Sequence, residues 1–223
     1  MDAEAWDERY RGTELVWAAG PNRFVAAELA GLPAGRAVDL AAGEGRNAVW
    51  LAERGWEVDA LDFSPVALAK ADRLAAERGV AIRTVRADLT DPAAWERATA
   101  GTDGSAVTDG TDGTGGAGAD GGYDLALVVY LHLPWPEMTG VLRRAATAVR
   151  PGGTLLLVGH HADNIEHGYG GPRYPEVLST ERQVAGAWRP YTRIVKAERA
   201  ERPVETEDGT RVALDTLVRA ERL

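Results

Sequence analysis

Short apolar runs alternate with amphipathic stretches along most of this chain, and the alternation predicts strands and helices in turn. Strands are expected over Arg36 to Leu40, Trp56 to Leu61, Ala81 to Ala87, Tyr123 to Leu131 and Thr154 to Val158. Between them, helices are expected over Ala48 to Glu53, Ser64-Pro65 to about Arg78, Asp91-Pro92 to Ala98, and Trp135 to Arg150. Ser64 followed by Pro65 is a helix start, because the hydroxyl can cap and proline's fixed φ suits the first turn. Ahead of this core, Asp2 to Tyr10 reads as a helix with Trp6 and Tyr10 on one face, and Asn22 can cap a second over Arg23 to Ala30. After it, Ser179 can cap a helix to about Trp188, and strands over Arg193 to Val204 and Arg211 to Glu221 flank a hairpin signal at Glu207-Asp208-Gly209-Thr210.

Alternating strands and helices predict an α/β fold with a mostly parallel sheet covered on both faces, closed by an antiparallel hairpin. Two segments depart from the rhythm. Residues 101–122 are mostly Gly, Thr, Asp and Ala, a composition that predicts a flexible insertion or a lid. Residues 162–190 begin as a Gly/Pro/His/Tyr-rich loop, expected on the substrate side together with the helix that follows. The chain is expected to be a single domain over 1–223, with cap helices in 1–33.

Composition removes several function classes. A net charge of −9 with no Lys/Arg cluster disfavours nucleic acid, whose phosphates need cations. There is no cysteine, which excludes disulfides and thiolate chemistry. His160, His161 and His167 lack a carboxylate at regular spacing, so no metal is expected. No leader pattern or membrane-length apolar run is present. The expectation is a cytoplasmic protein, monomeric or weakly dimeric, with a small-molecule substrate.

The densest chemistry lies in Val38-Asp39-Leu40-Ala41-Ala42-Gly43-Glu44-Gly45-Arg46-Asn47. A strand delivers the chain to the sheet's carboxyl edge, the glycines allow a tight turn, and a helix N-terminus follows. Asp39, Asp62, Asp88 and His160 all fall at or just past strand ends, which is the edge where ligands bind in such sheets. Gly43 to Ala48 also satisfies the loose dinucleotide fingerprint GxGxxA. Asp39, however, would repel a pyrophosphate and would welcome an ammonium. Asp62 can take ribose hydroxyls, and Asp88 an adenine amino group with the Leu89 N–H on the ring. Asp59 lies on the opposite face of its strand from Asp62 and is not chosen. S-adenosylmethionine carries all three groups.

These motifs resemble those of class I S-adenosylmethionine-dependent methyltransferases. The glycine loop resembles the family's motif I. Leu61-Asp62-Phe63-Ser64, Ala87-Asp88-Leu89, Tyr123-Asp124-Leu125 and Arg150-Pro151-Gly152-Gly153 resemble its later motifs. The resemblance implies a Rossmann-like sandwich with a seven-stranded, mostly parallel sheet. It implies cofactor contacts from Asp39, Ala41, Gly43, Gly45, Asn47, Asp62, Phe63, Asp88, Leu89, Val129 and Tyr130. The Gly-x-Gly-Arg-Asn form and the closing hairpin are similar to the tellurite-resistance and thiopurine methyltransferase branch. A His-Arg pair of the tellurite enzymes falls here on Pro203 and Val204, whereas a nearby family arginine is matched by Arg211.

Methyl transfer needs alignment, exclusion of water and, for a protonated acceptor, a base. His132 and His160 are the candidates for that base. Trp17, Arg23, His161 and Arg211 are candidate substrate contacts. An NAD(P)-dependent reductase and a catalytically silent cofactor-binding protein are the alternatives.

Overall fold

A computed structural model of the chain describes residues 3–12, 20–99 and 122–223. Trp17 and the expected insertion, up to residue 121, lie outside the described residues. The helices are α1 (Ala3–Arg11), α2 (Arg23–Leu29), α3 (Arg46–Ala52), α4 (Pro65–Glu77), α5 (Pro92–Thr99), α6 (Trp135–Ala148), α7 (Asn164–His167) and α8 (Glu181–Trp188). The strands are β1 (Arg36–Leu40), β2 (Glu57–Asp62), β3 (Arg83–Arg86), β4 (Tyr123–Val129), β5 (Val149–His160), β6 (Thr192–Thr206) and β7 (Gly209–Arg222).

The strands form one seven-stranded sheet in the order β3-β2-β1-β4-β5-β7-β6. β1 to β5 pair in parallel, and β7 runs antiparallel to both β5 and β6. The central strands β1 and β4 are mostly apolar because helices cover both of their faces. Along β4 the alternation is visible. Ala126 and Val128 face a core shared with Leu40, Leu142 and Trp188, whereas Leu125 and Leu127 face one shared with Leu51, Trp56 and Leu156.

From β1 the chain winds outward to β3, then returns to place β4 on the other side of β1. The reversal opens a crevice between the loops that leave β1 and β4, where open α/β sheets bind ligands. Both loops carry sequence-predicted site residues.

Several element bounds differ from expectation. The helix expected to reach Arg150 stops at Ala148, because Val149 is already extended and pairs with Tyr123. β5 therefore starts ahead of Pro151-Gly152-Gly153, with a register shift between Tyr123 and Leu125 absorbing the irregular stretch. β3 spans only Arg83–Arg86, an exposed-edge strand shorter than its apolar run. The loop after β5 contains α7 and a 3-10 turn at Pro175–Val177.

Two further differences concern the substrate side. α8 was expected to face it, but Val184, Ala185 and Trp188 are buried, and the Trp188 indole donates to the Leu142 carbonyl oxygen at 3.0 Å. That helix belongs to the core. The closing hairpin is longer than expected: Gly209 to Ala213 pair with β6 beyond the end of β5. It projects roughly 17 Å past the carboxyl edge at 3.4 Å per residue.

Candidate active site

The loop after β1 turns through three left-handed residues, Ala41 (φ 61°), Gly43 (φ 55°) and Gly45 (φ 76°). Alanine is strained there, and such strain collects at functional sites. Glycine is required at position 45 by space as well as by φ. A Cβ on Gly45 would lie 2.6 Å from the Ala71 Cβ of α4. At Gly43, a Cβ would lie 3.1 Å from the Tyr10 hydroxyl, so α1 closes over the loop. Lys70 of α4 ties these parts together, donating to the Tyr10 carbonyl at 2.5 Å and to Glu44 at 3.0 Å. Asp7 of α1 bonds the Ser64 hydroxyl at the start of α4.

Under this cover lies an open cavity of about 780 Å³, counting the solvent space at its mouth. It is lined by Trp6 and Tyr10, by the loop from Ala41 to Asn47 apart from Gly45, by Asp62 and Phe63, and by Val129 to Leu133. Asn47 is fixed by accepting the Asn22 N–H at 2.9 Å.

Two acids define the polar side. Asp62, at the end of β2, accepts the Gly43 N–H and the Ser64 N–H, each at 2.9 Å. Burial raises its pKa, and those amides oppose the rise. Asp39 is fully buried behind the loop; neither carboxylate oxygen makes a hydrogen bond of full geometry, and the Ala48 N–H and the Arg46 guanidinium are the groups that favour its charged form. Burial pushes its pKa up to about 7, against the Arg46 guanidinium and helped by Asp62. A buried carboxylate with so little hydrogen bonding is costly, and a cationic or donating ligand group in the cavity would relieve it.

On the other side, Tyr130 is also left-handed (φ 55°), and its hydroxyl donates to Asp215 at 2.9 Å. Burial pushes the Tyr130 phenol well above its ordinary range, with the neighbouring Asp215 charge adding to the rise. His132 stacks on His160, with ring centroids 5.5 Å apart and planes 10° apart. His132 Nε2 is buried without a partner, and burial, then His160, lower its pKa to about 4. The ring is therefore neutral at pH 7.

The structure thus brings Ala41, Gly43, Asn47, Asp62, Phe63, Val129, Tyr130 and His132 to one cavity, with Asp39 behind it and Gly45 shaping its loop. His160 lies behind His132. Other expected residues lie elsewhere. Asp88 is exposed and caps its own turn, accepting from the Thr90 N–H and hydroxyl at 2.8 and 2.7 Å. Leu89 is buried in the core beside Trp95. Arg23 is exposed, lying over the Phe24 ring at 5.7 Å. Arg211 is exposed on the projecting hairpin, opposite Val204. His161 is buried and bonded on both ring nitrogens, to Glu181 at 3.0 Å and to the Asp163 N–H at 3.0 Å, so it anchors the loop after β5. Asp59 is engaged structurally, by Arg83 at 2.7 and 2.9 Å and by the Tyr123 hydroxyl at 2.5 Å.

Sequence reasoning missed Asp215 and Arg202, which flank Tyr130, and the pairing of Glu44 with Lys70. A lone acid inside the apolar run Leu214-Asp215-Thr216-Leu217-Val218 was the available signal, because an unpartnered charge does not sit in a buried strand.

Comparison with known proteins agrees with this geometry. The fold is similar to a structure solved for the conversion of a disulfide bond into a thioacetal group during echinomycin biosynthesis, at 19% identity and a TM-score of 0.69 over 99% of this chain and 92% of that one. It is similar to TehB from Haemophilus influenzae, at 12% identity and a TM-score of 0.67 over 99% and 67%. It is also similar to the N-methyltransferase NodS from Bradyrhizobium japonicum WM9 in complex with S-adenosyl-L-homocysteine, at 15% identity and a TM-score of 0.64 over 99% and 97%. No curated protein matches the chain in sequence. The methyltransferase domain family matches residues 38–155, more than half of the chain and the whole span from β1 into β5. The chain belongs to that family and is an S-adenosylmethionine-dependent methyltransferase.

Proposed function

We propose that this enzyme methylates a small molecule, and that Asp39, Asp62 and the Ala41–Asn47 loop hold its S-adenosylmethionine. The observation that carries the reading is Asp39, whose two buried oxygens make no hydrogen bond of full geometry beside a cavity walled by a left-handed loop. The residues fit the cofactor. An ammonium is the group that relieves an orphaned carboxylate, and Asp62 is an acid within the cavity wall that can accept from ribose hydroxyls. When bound, the cofactor supplies an electrophilic methyl on a sulfonium, which leaves as a neutral thioether.

The chain's own work is then positioning and exclusion of water. Phe63 and Val129 offer apolar surface to a nucleoside, while Trp6 and Tyr10, stacked at 5.6 Å, close the cavity from α1. Leu131, His132 and Leu133 face the same space from the β4 side. Neutral His132 offers the acceptor a hydrogen bond without adding charge. Asp88 and Leu89 join the site only if the adenine reaches beyond Phe63.

The balance of charge, −9, favours a small acceptor over nucleic acid. Among the described residues no helix is long and apolar enough to cross a membrane. We read the enzyme as a cytoplasmic, single-domain protein, monomeric or weakly dimeric.

Calorimetry with S-adenosylhomocysteine tests the reading. Micromolar binding with 5′-methylthioadenosine at least tenfold weaker is expected, because the second ligand lacks the ammonium that Asp39 would receive. Binding of NADH in place of S-adenosylhomocysteine would overturn it.

A further inference from the structure

Asp215 is fully buried in β7, and a buried carboxylate is costly unless its oxygens are partnered. Oδ2 accepts from the Tyr130 hydroxyl at 2.9 Å and from Arg202 Nε at 2.6 Å. Oδ1 has no hydrogen-bond partner. The ring nitrogen facing it is His160 Nδ1, at 3.4 Å, and that nitrogen is likewise buried and without a partner. Two orphaned polar atoms therefore face each other, and closing the last fraction of an ångström satisfies both. Catalytic hydrogen bonds are commonly long before ligands are bound.

The backbone prepares this meeting. His160 and Asp215 are directly opposed across the antiparallel β5–β7 pair, so their side chains share one face of the sheet. The imidazole is confined on other sides as well. Tyr130 lies 4.7 Å away, His132 stacks at 5.5 Å, and a Cβ on Gly171 would come within 2.9 Å of Nδ1. Little freedom is left to the ring except the choice of which nitrogen carries the proton.

We propose that Asp215 is a positioning residue that holds His160, packed against the cavity-lining Tyr130 and His132, as its Nδ1–H tautomer, leaving the Nε2 lone pair to receive a proton from a methyl acceptor that reaches past those two rings. The inference rests on the methyltransferase reading and narrows it to acceptors whose nucleophilic atom bears both a lone pair and a proton, such as a thiol, a hydroxyl or a neutral primary or secondary amine. In the transfer, the acceptor's lone pair forms the bond to the methyl carbon, and the carbon–sulfur bond breaks with its electron pair going to sulfur. The acceptor's proton passes to Nε2, and the resulting imidazolium faces the Asp215 carboxylate. Tyr130 and Arg202 take the other oxygen, which aims Oδ1 at the ring.

The test is a long-range ¹H–¹⁵N correlation spectrum of histidine-labelled protein bound to S-adenosylhomocysteine. Wild type should show His160 as the Nδ1–H tautomer. Asp215→Asn, whose amide can donate to Nδ1, should lose that signal in favour of Nε2–H. Tyr130→Phe removes one partner of Asp215 but not the facing nitrogen, and should keep the wild-type pattern. An Nε2–H tautomer in wild type, or an unchanged pattern in a folded Asp215→Asn, overturns the proposal. If Asp215→Asn does not fold, the wild-type and Tyr130→Phe spectra decide alone. Calorimetry on the same samples separates the two readings, since loss of S-adenosylhomocysteine binding in wild type defeats the cofactor assignment while the tautomer remains measurable.

Discussion

Gly45 touches Ala71 so closely that the two helices they serve could not keep their places around a larger residue. A Cβ at position 45 would stand 2.6 Å from that of Ala71, at a backbone φ of 76°. Gly45→Ala is expected to cost about 1–3 kcal/mol of stability through strain and overpacking. It should also weaken S-adenosylhomocysteine binding, because the loop it displaces lines the cavity. Thermal unfolding and calorimetry on one preparation check both, and an unchanged affinity would show that loop geometry does not govern the cofactor.

Asp39 should set stability and binding against each other. Its folded pKa of about 7 lies above the ordinary 3.8, so between those values the folded chain holds a proton that the unfolded chain has released. Its contribution to stability is full below about pH 4 and is lost as pH rises through 7. Asp39→Asn, neutral at every pH, should therefore stabilise the ligand-free protein at pH 8 by about 2–4 kcal/mol. The same change should weaken S-adenosylhomocysteine. A variant that melts lower at pH 8, or binds as tightly as wild type, contradicts this account.

The same group predicts how cofactor affinity varies with pH. An ammonium is received by the carboxylate and not by the acid. Affinity should improve roughly tenfold between pH 6 and 8 as Asp39 ionises, and the dependence should vanish in Asp39→Asn. Calorimetric titrations across that range measure it directly.

Asp59 and Asp62 lie three residues apart in β2 and should separate cleanly. Asp62→Ala removes an acid from the cavity wall and two acceptors from the Gly43 and Ser64 amides. A loss of about 1–3 kcal/mol of S-adenosylhomocysteine binding is expected. Asp59→Ala strips Arg83 and Tyr123 of their shared acceptor. It should cost about 2–3 kcal/mol of stability and leave the affinity unchanged. Reversed outcomes would exchange the two roles.

His161→Gln should behave like a core change. It breaks the bond to Glu181 that holds the loop after β5, so Tm should fall by several degrees. Cofactor affinity should stay at the wild-type value, and a calorimetric loss would place His161 nearer the site than its burial implies.

What the sequence determined by itself was the order of strands and helices and the glycine loop after β1. Both are local. Buried parallel strands are short apolar runs, and a strand that ends in an acid before Gly-x-Gly announces a turn and a helix N-terminus within ten residues. Asp39, Gly43, Gly45 and Asp62 were legible for that reason, and so was the opposition of Asp59 and Asp62 on a period-two strand. The tertiary structure alone decided what meets across the sheet. Asp215 lies 85 residues from Tyr130, and it reaches that residue only because β7 inserts between β5 and β6. The apolar pattern cannot show that insertion, since a hairpin reads the same whichever strand it joins. Burial was equally nonlocal: His161 and Trp188 sit in loop-like or amphipathic stretches, and only the packing of α8 against α6 and the loop after β5 made them supports of the core.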